Sequence, residues 1–386
     1  LPTKPGGSVV NSITMKPNSA RQQASNNGDL SPKCDLATGI PFTYDNSDIG
    51  SVQAFYYRSE PITLLGTPPS GGWRFYWQAP CCRPNRIDNV STNGRLMLRA
   101  FMYAELNGVS GSLCNNSSPE FTSKPLALSN RGYISSFNQS AIDSDGDSLV
   151  YSLDRPFNGN SRIIEPIIPL NYEVGFSPTS PFPGTDRDSR NNSGMLNQNS
   201  GLFDFGMFNE IYGQWPYNRF ITVIKVDAYL DGVLNSSIFR EVPSSIVNPP
   251  LLPDKRQNIP PMFLLGKNDT NKIEISVAAG QKIELPIIVT DKDLSYSQLL
   301  TMTMNGSHFS QDFSSTGTCQ NFSNSNCAYL DNSILLPDTV LGVPSYKIEA
   351  VGQINTTFKW QTNCSLLGPN GRDKTYYFYF DAHDNF

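Results

Sequence analysis

The sequence is poor in histidine, poor in charge and free of long apolar runs, and each shortage removes a class of function. Only two histidines occur, His308 and His383. No Cys-x-x-Cys spacing exists either, so a zinc site of the usual ligand spacing is not available. Charged residues make up 16% of the 386-residue chain and the formal net charge is −5. Phosphate recognition calls for clustered Lys and Arg, so the balance argues against nucleic acid as a partner. No apolar run approaches the roughly 18 residues that span a membrane. The chain carries no initiating Met and no basic-then-apolar leader. Both ends are expected to be cuts in a longer protein, the first of them a processed mature end.

What is present is polar through Asn, Ser, Thr and Gln rather than through charge. Aromatic residues reach 11%, with 17 Tyr and 22 Phe, and 29 Gly and 29 Pro are spread throughout. Aromatic and β-branched side chains fit pleated surfaces, while Gly, Pro, Asn and Ser punctuate turns. Long helices are improbable under that punctuation, and the expected fold is all-β; the order of the repeated segments described below makes it tandem Ig/cadherin-like β-sandwich domains. Strand patterns begin at Ser51–Leu65 and continue at Trp73–Trp77 and Arg95–Ala104.

Seven cysteines point to disulfides and hence to an oxidising, extracytoplasmic compartment. Cys319 and Cys327 are close enough in sequence for a local clip. Cys34, Cys81, Cys82 and Cys114 can form two bridges. Neighbours on a strand point to opposite faces, so Cys81 and Cys82 should take different partners. Cys364 is then the odd one, its partner expected just past Phe386.

Composition divides the chain. Residues 1–33 are rich in Ser, Asn, Gln and Pro and read as an extended polar arm. Residues 34–118 form a disulfide-bearing β-domain, 119–249 a β-sandwich with an acidic turn, and 250–386 a second such sandwich. The proline-rich stretch Asn248–Pro261 separates the last two, as a stiff linker would. These last two segments read as repeats of one another. Ala141–Leu153 (AIDSDGDSLVYSL) corresponds to Ile288–Met304 (IVTDKDLSYSQLLTMTM), Gly201–Gly206 to Asn355–Gln361, and Phe220–Tyr229 to Tyr376–Asp384.

The acidic turns are the candidate metal sites. Asp143, Asp145 and Asp147 fall within five residues. Carboxylates so close repel one another, and a bound cation removes that penalty. Calcium fits, since it takes six to eight hard oxygen ligands. The order resembles the start of an EF-hand loop, with Asp154 at its twelfth position, but Gly146 comes too early and strand patterns flank the motif. An interstrand loop suits it better, with the late Asp227 returning from a neighbouring strand. The second turn offers Asp291 and Asp293, with Asp381 as the late residue, and Leu294 in place of the glycine. Fewer acids should bind more weakly. The competing reading is a solvated turn whose Asp side chains cap local N–H groups.

Catalytic readings find little. Residues 146–149 spell GDSL, yet this serine sits among acids that oppose its deprotonation, and no Asp-x-x-His follows. His383 has acids on both sides but no marked nucleophile. The chain is expected not to be an enzyme, with no catalytic residues. Trp73, Trp77 and Trp360 lie in strand patterns and read as core, whereas Trp215 beside a proline is the one most suited to exposure. Sequons at Asn89, Asn116 and Asn268 carry little weight in so Asn- and Ser-rich a chain.

Together, Trp77–Ile87 (WQAPCCRPNRI), Ser112–Phe121 (SLCNNSSPEF) and the DSDGDSLVYSL run at Asp143 resemble large cell-surface proteins of Bacteroidetes. Tyr44–Ser51, Val226–Gly232 and the FKWQTNC and DAHDN segments extend the likeness from about residue 40 to the end. Pro84 departs from the family's CCRN, and the second acidic turn is degenerate. The resemblance implies cadherin- or PKD-like repeats, export by the type IX secretion system with a sorting domain beyond Phe386, and attachment at the cell surface. It implies a role in adhesion or gliding motility, with outer-membrane secretion or attachment partners. It also implies a Cys after the final Asp-Asn, as the partner of Cys364. The O-glycosylation pattern of that phylum, Asp followed by Ser or Thr and an apolar residue, occurs at Asp338-Thr339-Val340, which makes Thr339 a candidate.

The reading that follows is a secreted, calcium-stiffened surface protein of adhesin type. Its ligand is another protein or a polysaccharide, and further domains of the same longer chain are its neighbours. The alternatives are a carbohydrate-binding accessory module of a secreted enzyme, and a subunit of a surface filament that uses residues 1–33 as an inserted arm.

Overall fold

The computed structural model describes residues 2–3, 12–18, 54–64, 68–83, 87–91, 94–103, 117–125, 127–159, 167–209, 217–249, 252, 254–264, 272–293, 298–306, 328–336, 345–367, 371 and 373–384. Among them the regular structure is β throughout, in several mostly antiparallel sheets, with one short 3₁₀ turn at Cys364–Leu366 and no α-helix. The described residues up to Pro249 belong to one compact unit and those after it to a second.

The first unit is organised by a long hairpin. Tyr217–Leu230 and Val233–Val247 pair antiparallel over nearly their whole length. Asp231 and Gly232 make the turn with positive φ at both residues, 49° and 82°. That backbone is what a tight primed turn needs, and Asp-Gly is among the pairs that adopt it most readily. Arg95–Met102 pairs with the second hairpin strand, and Trp73–Cys82 pairs with Arg95–Met102. Ser148–Asp154 adds to the other side of the hairpin. A separate sheet joins Asn192–Leu196, Leu202–Gly206 and Ile134–Asn138.

One core lies between these two sheets. Phe203 and Phe205 come from the small sheet, Phe220, Ile224, Val226, Val242 and Ile246 from the hairpin, and Tyr151 from Ser148–Asp154. Phe182, fully buried, stacks on Phe205 with ring centres 4.0 Å apart and planes 3° from parallel. The alternation of Leu202–Gly206 explains its placement: both Phe residues of LFDFG face inward, and Asp204 between them faces out.

Two expectations change here. Strands on both sides of Pro119 share one sheet: Phe101 lies opposite Ser237, and Ala100 opposite Ile238. Residues 34–118 therefore do not stand apart from 119–249 where they are described, because a strand as long as Val233–Val247 has edge enough to recruit partners from far upstream. The described parts of the 1–33 arm run extended and are paired. Pro2–Thr3 lies against Arg74 and Phe75, and Met15–Pro17 against Tyr57–Ser59. Within the expected strand Ser51–Leu65, only Tyr57–Ser59 is strand among the described residues, whereas Trp73–Trp77 extends to Cys82.

The second unit contains two four-stranded sheets. One runs Met262–Phe263, Lys282–Thr290, Gln353–Gln361, Tyr329–Leu330; the other runs Ile334–Leu336, Ser345–Val351, Leu299–Gly306, Phe378–His383. Ile287, Val289, Ile354, Phe358 and Trp360 from the first sheet meet Leu300, Met302, Met304 and Tyr346 from the second in a single core. The strand Gln353–Gln361 shows its origin in sequence: Ile354, Thr356, Phe358 and Trp360 are all buried, at period two.

The two units share a pairing pattern about their acidic turns. In the first, Ile134–Asn138 pairs with Leu202–Gly206, Ala141–Ile142, directly before the turn, with Glu120–Phe121, and the strand after the turn (Ser148–Asp154) with Tyr217–Leu230. In the second, the equivalent pairs are Lys282–Thr290 with Gln353–Gln361 and Leu299–Gly306 with Phe378–His383. Of the segments matched as repeats in sequence, the strand after each turn pairs with the last strand of its set, Tyr217–Leu230 in one unit and Phe378–His383 in the other.

Candidate cation sites

The first acidic turn is largely satisfied by its own backbone. Asp143 Oδ1 accepts the N–H groups of Asp145 (2.9 Å) and Asp147 (3.2 Å), and Gly146, at φ 83°, makes the chain reversal. The other oxygen of Asp143 is buried and accepts no hydrogen bond from the described residues. Burial raises the Asp143 carboxyl above its ordinary value, while the N–H groups of Asp147 and Asp145 work in the opposite direction. Asp145 accepts the N–H of Ser117. The Tyr151 hydroxyl spans the turn, accepting from Ala141 N at 2.9 Å and donating to Ala141 O at 3.2 Å, so the two flanking strands are tied together.

Asp227, the late residue expected there, does not join this turn, nor does Asp154. Asp227 lies in the middle of the hairpin, opposite Val150 and Ser237. One of its oxygens accepts from the Ser237 hydroxyl and the other pairs with Lys225 at 2.8 Å. Asp154 pairs with Arg99 at 2.6 Å, and that guanidinium lies over the rings of Phe239 (4.0 Å) and Phe157 (4.1 Å). Both carboxylates serve the sheet face rather than the loop.

The second turn is the more buried. Asp291 and Asp293 are 2% and 1% exposed. Asp293 N–H donates to Asp291 Oδ1 at 2.6 Å, and Ile259 N–H donates to Asp293 Oδ2 at 2.7 Å. Asn258 Nδ2 donates to Asp384 Oδ2 at 2.8 Å, and Gln298 Nε2 to Asn258 Oδ1 at 2.9 Å. The guanidinium of Arg256 comes to 3.9 Å from Asp293 and is itself 57% exposed. Burial, above all, pushes the Asp291 carboxyl up to about 6. The Asp293 N–H opposes the shift, and the charges of Asp384 and Asp293 add to it.

The late residue here is Asp384, not Asp381. Asp381 and His383 share the exposed side of their strand, whereas Ala382 packs toward the core and Asp384, two residues on, is buried. The pleat sends residues an even number apart to the same side, so the Asp-Ala dipeptide shared by the repeats marks the wrong carboxylate. Asn258 and Gln298 carried no sequence signal, being 40 residues apart in the chain.

Among the described residues, no three Asp, Glu, His or Cys side chains gather as a ready-made metal group. Of the other expected sites, Cys34, Cys114, Cys319, Cys327, Thr339 and Trp215 lie outside the described residues, as do the side chains of Cys81 and Cys82. Cys364 is exposed, with no sulfur partner among the described residues. Asn89 is fully buried, its amide donating to Pro181 O and Ile221 O and accepting from Ile221 N.

Searches against protein-family models and curated proteins returned no match to this chain.

Proposed function

We propose that the chain is the structural part of a secreted, adhesin-type bacterial surface protein, exported to the cell exterior and built from tandem Ig/cadherin-like sandwiches stiffened by calcium at their acidic turns. The observation that supports this reading is the repeated strand pairing about the two turns, in units whose cores each join two sheets. Repeating one sandwich along a chain is a way of holding a ligand-binding surface away from a cell, and restraining the loops of each unit keeps such an array stiff. The polar, weakly charged composition suits a surface exposed to the medium, and the segment likeness to Bacteroidetes surface proteins points the same way. A protein or polysaccharide surface is the ligand class. Protease shaving of intact source cells tests the location: release of fragments of this chain is expected. A chain protected until the cells are lysed would end the reading.

A further inference from the structure

Two amides are strung between two carboxylates in the second unit: Asp384, Asn258, Gln298, Asp291. Each amide presents one nitrogen and one oxygen, whereas both ends of the series accept. Asn258 gives its nitrogen to Asp384 and its oxygen to Gln298. Gln298 then turns its own oxygen toward Asp291, 2.8 Å and 3.2 Å from the two carboxylate oxygens. Reversing Gln298 gives Asp291 a donor but sets oxygen against oxygen at Asn258, 2.9 Å apart. Reversing Asn258 as well moves the conflict to Asp384. No arrangement of the amides satisfies all three contacts, and Gln298 is only 1% exposed.

The conflict disappears if a cation sits among the oxygens. Two oxygens bound at about 2.4 Å to one calcium, about 75° apart, lie about 2.9 Å from each other. That is the spacing seen between the Gln298 amide oxygen and Asp291. Asp384 stands within hydrogen-bonding reach of Asp291, so a second carboxylate faces the same place. Asp291 is 2% exposed and Asp384 8%, and carboxylates this buried cost several kcal/mol each unless opposite charge accompanies them.

From this we infer that Asp291, Asp384 and the Gln298 amide oxygen form a calcium site, with Asn258 orienting the ligands as their hydrogen-bonded support. The donor set is two carboxylates and an amide, not three carboxylates. The inference rests on the reading of calcium as the stiffening ion, but assigns it different residues. Because Asn258 and Ile259 belong to the proline-rich stretch at the start of this part of the chain and Asp384 follows its last strand, the ion joins both to the acidic turn.

The test titrates calcium into the chelated full chain at neutral pH, by calorimetry and by thermal unfolding. Four variants accompany it: Asp384→Asn, Gln298→Glu, Asp381→Asn and Asp145→Asn. Expected are affinity about tenfold or more weaker in Asp384→Asn, tighter binding in Gln298→Glu, which replaces the amide oxygen by a charged one, and unchanged binding in Asp381→Asn. The Gln298→Glu gain keeps the test decisive should Asp384→Asn not fold. Retention of wild-type affinity in both Asp384→Asn and Gln298→Glu would overturn the site. Loss of calcium binding in Asp145→Asn alone would do so too, while leaving calcium at the first turn. If calcium binds no version, the site and the calcium reading fall together, and a proton on Asp291 is what resolves the conflict.

Discussion

Arg83 and Glu241, 158 residues apart, form a forked ion pair inside the first unit, with Nε–Oε1 at 2.7 Å and Nη2–Oε2 at 2.8 Å. The guanidinium also donates to Gly94 O, Arg95 O and Phe157 O, so all five of its N–H groups are used. Side-chain exposure is 2% for Arg83 and 9% for Glu241. The pair fastens the end of the Trp73–Cys82 strand to the centre of the sheet.

Removing one partner should therefore cost far more than removing both. Arg83→Met leaves a buried carboxylate and is expected to destabilise the first unit by about 3–5 kcal/mol at neutral pH. Burial already raises the Glu241 carboxyl, and Arg83 is what holds it down. Without Arg83 the folded value rises further above the ordinary 4.5. The protonated form is then the one the fold prefers, so stability is retained below that ordinary value and lost as pH rises through the raised one. Denaturant unfolding of Arg83→Met near pH 4 and near pH 8 should show the deficit largely at the higher value. The Arg83→Met/Glu241→Leu double variant should recover most of it at both. An equal deficit at both pH values would refute the account.

Asn89 gives a prediction about modification. The Asn89-Val90-Ser91 sequon is formally complete, but its amide is enclosed by Pro181 and Ile221 backbone groups. Produced in a glycosylating host, the folded chain should carry no glycan at Asn89, and peptide mass spectrometry reads this directly. Asn89→Ala should destabilise by about 1–3 kcal/mol, because the Ile221 N–H loses its acceptor inside the protein.

Much of the architecture was legible because it is periodic. The Phe pair of LFDFG and the Ile-Thr-Phe-Trp alternation of Gln353–Gln361 state which side of each strand is inside. What sequence does not carry is which distant edge a strand finds, as with Arg95–Met102 against Val233–Val247. Nor does it carry the phase of a strand relative to a loop. Asp381 matches Asp227 letter for letter, yet one is exposed beside His383 and the other is closed off by Lys225 and Ser237. Asn258 and Gln298 are ordinary polar letters until folding puts them between two carboxylates.

Phe182 lies in an irregular stretch, where no periodicity marks it as core. It stacks on Phe205, and its ring centre is 5.1 Å from that of Phe220, so it fills the space between the two sheets. Phe182→Ala is expected to cost about 3–5 kcal/mol in denaturant unfolding of the first unit. Phe182→Leu, which leaves less empty volume, should cost less. Similar losses from the two variants would mean that ring stacking rather than filled volume sets the stability there.

The Tyr151 hydroxyl joins the two sides of the first acidic turn, and its loss separates turn geometry from core packing. Tyr151→Phe keeps the ring among Phe182, Phe203 and Phe220 in the core but leaves Ala141 N and O without the phenol between them. A loss of about 1–3 kcal/mol is expected, as for a buried backbone group deprived of its partner. Its local signature should be faster amide exchange at Ala141, with the amides of the Tyr217–Leu230 and Val233–Val247 hairpin unchanged once the global loss is allowed for. The carboxylates of Asp143 and Asp145 hold N–H groups within and before the turn. Exchange should therefore quicken at Asp145 and Asp147 too if the phenol is what fixes the turn. If only Ala141 responds, the turn is held by its own Asp143 cap, and Tyr151 merely closes the strand ends.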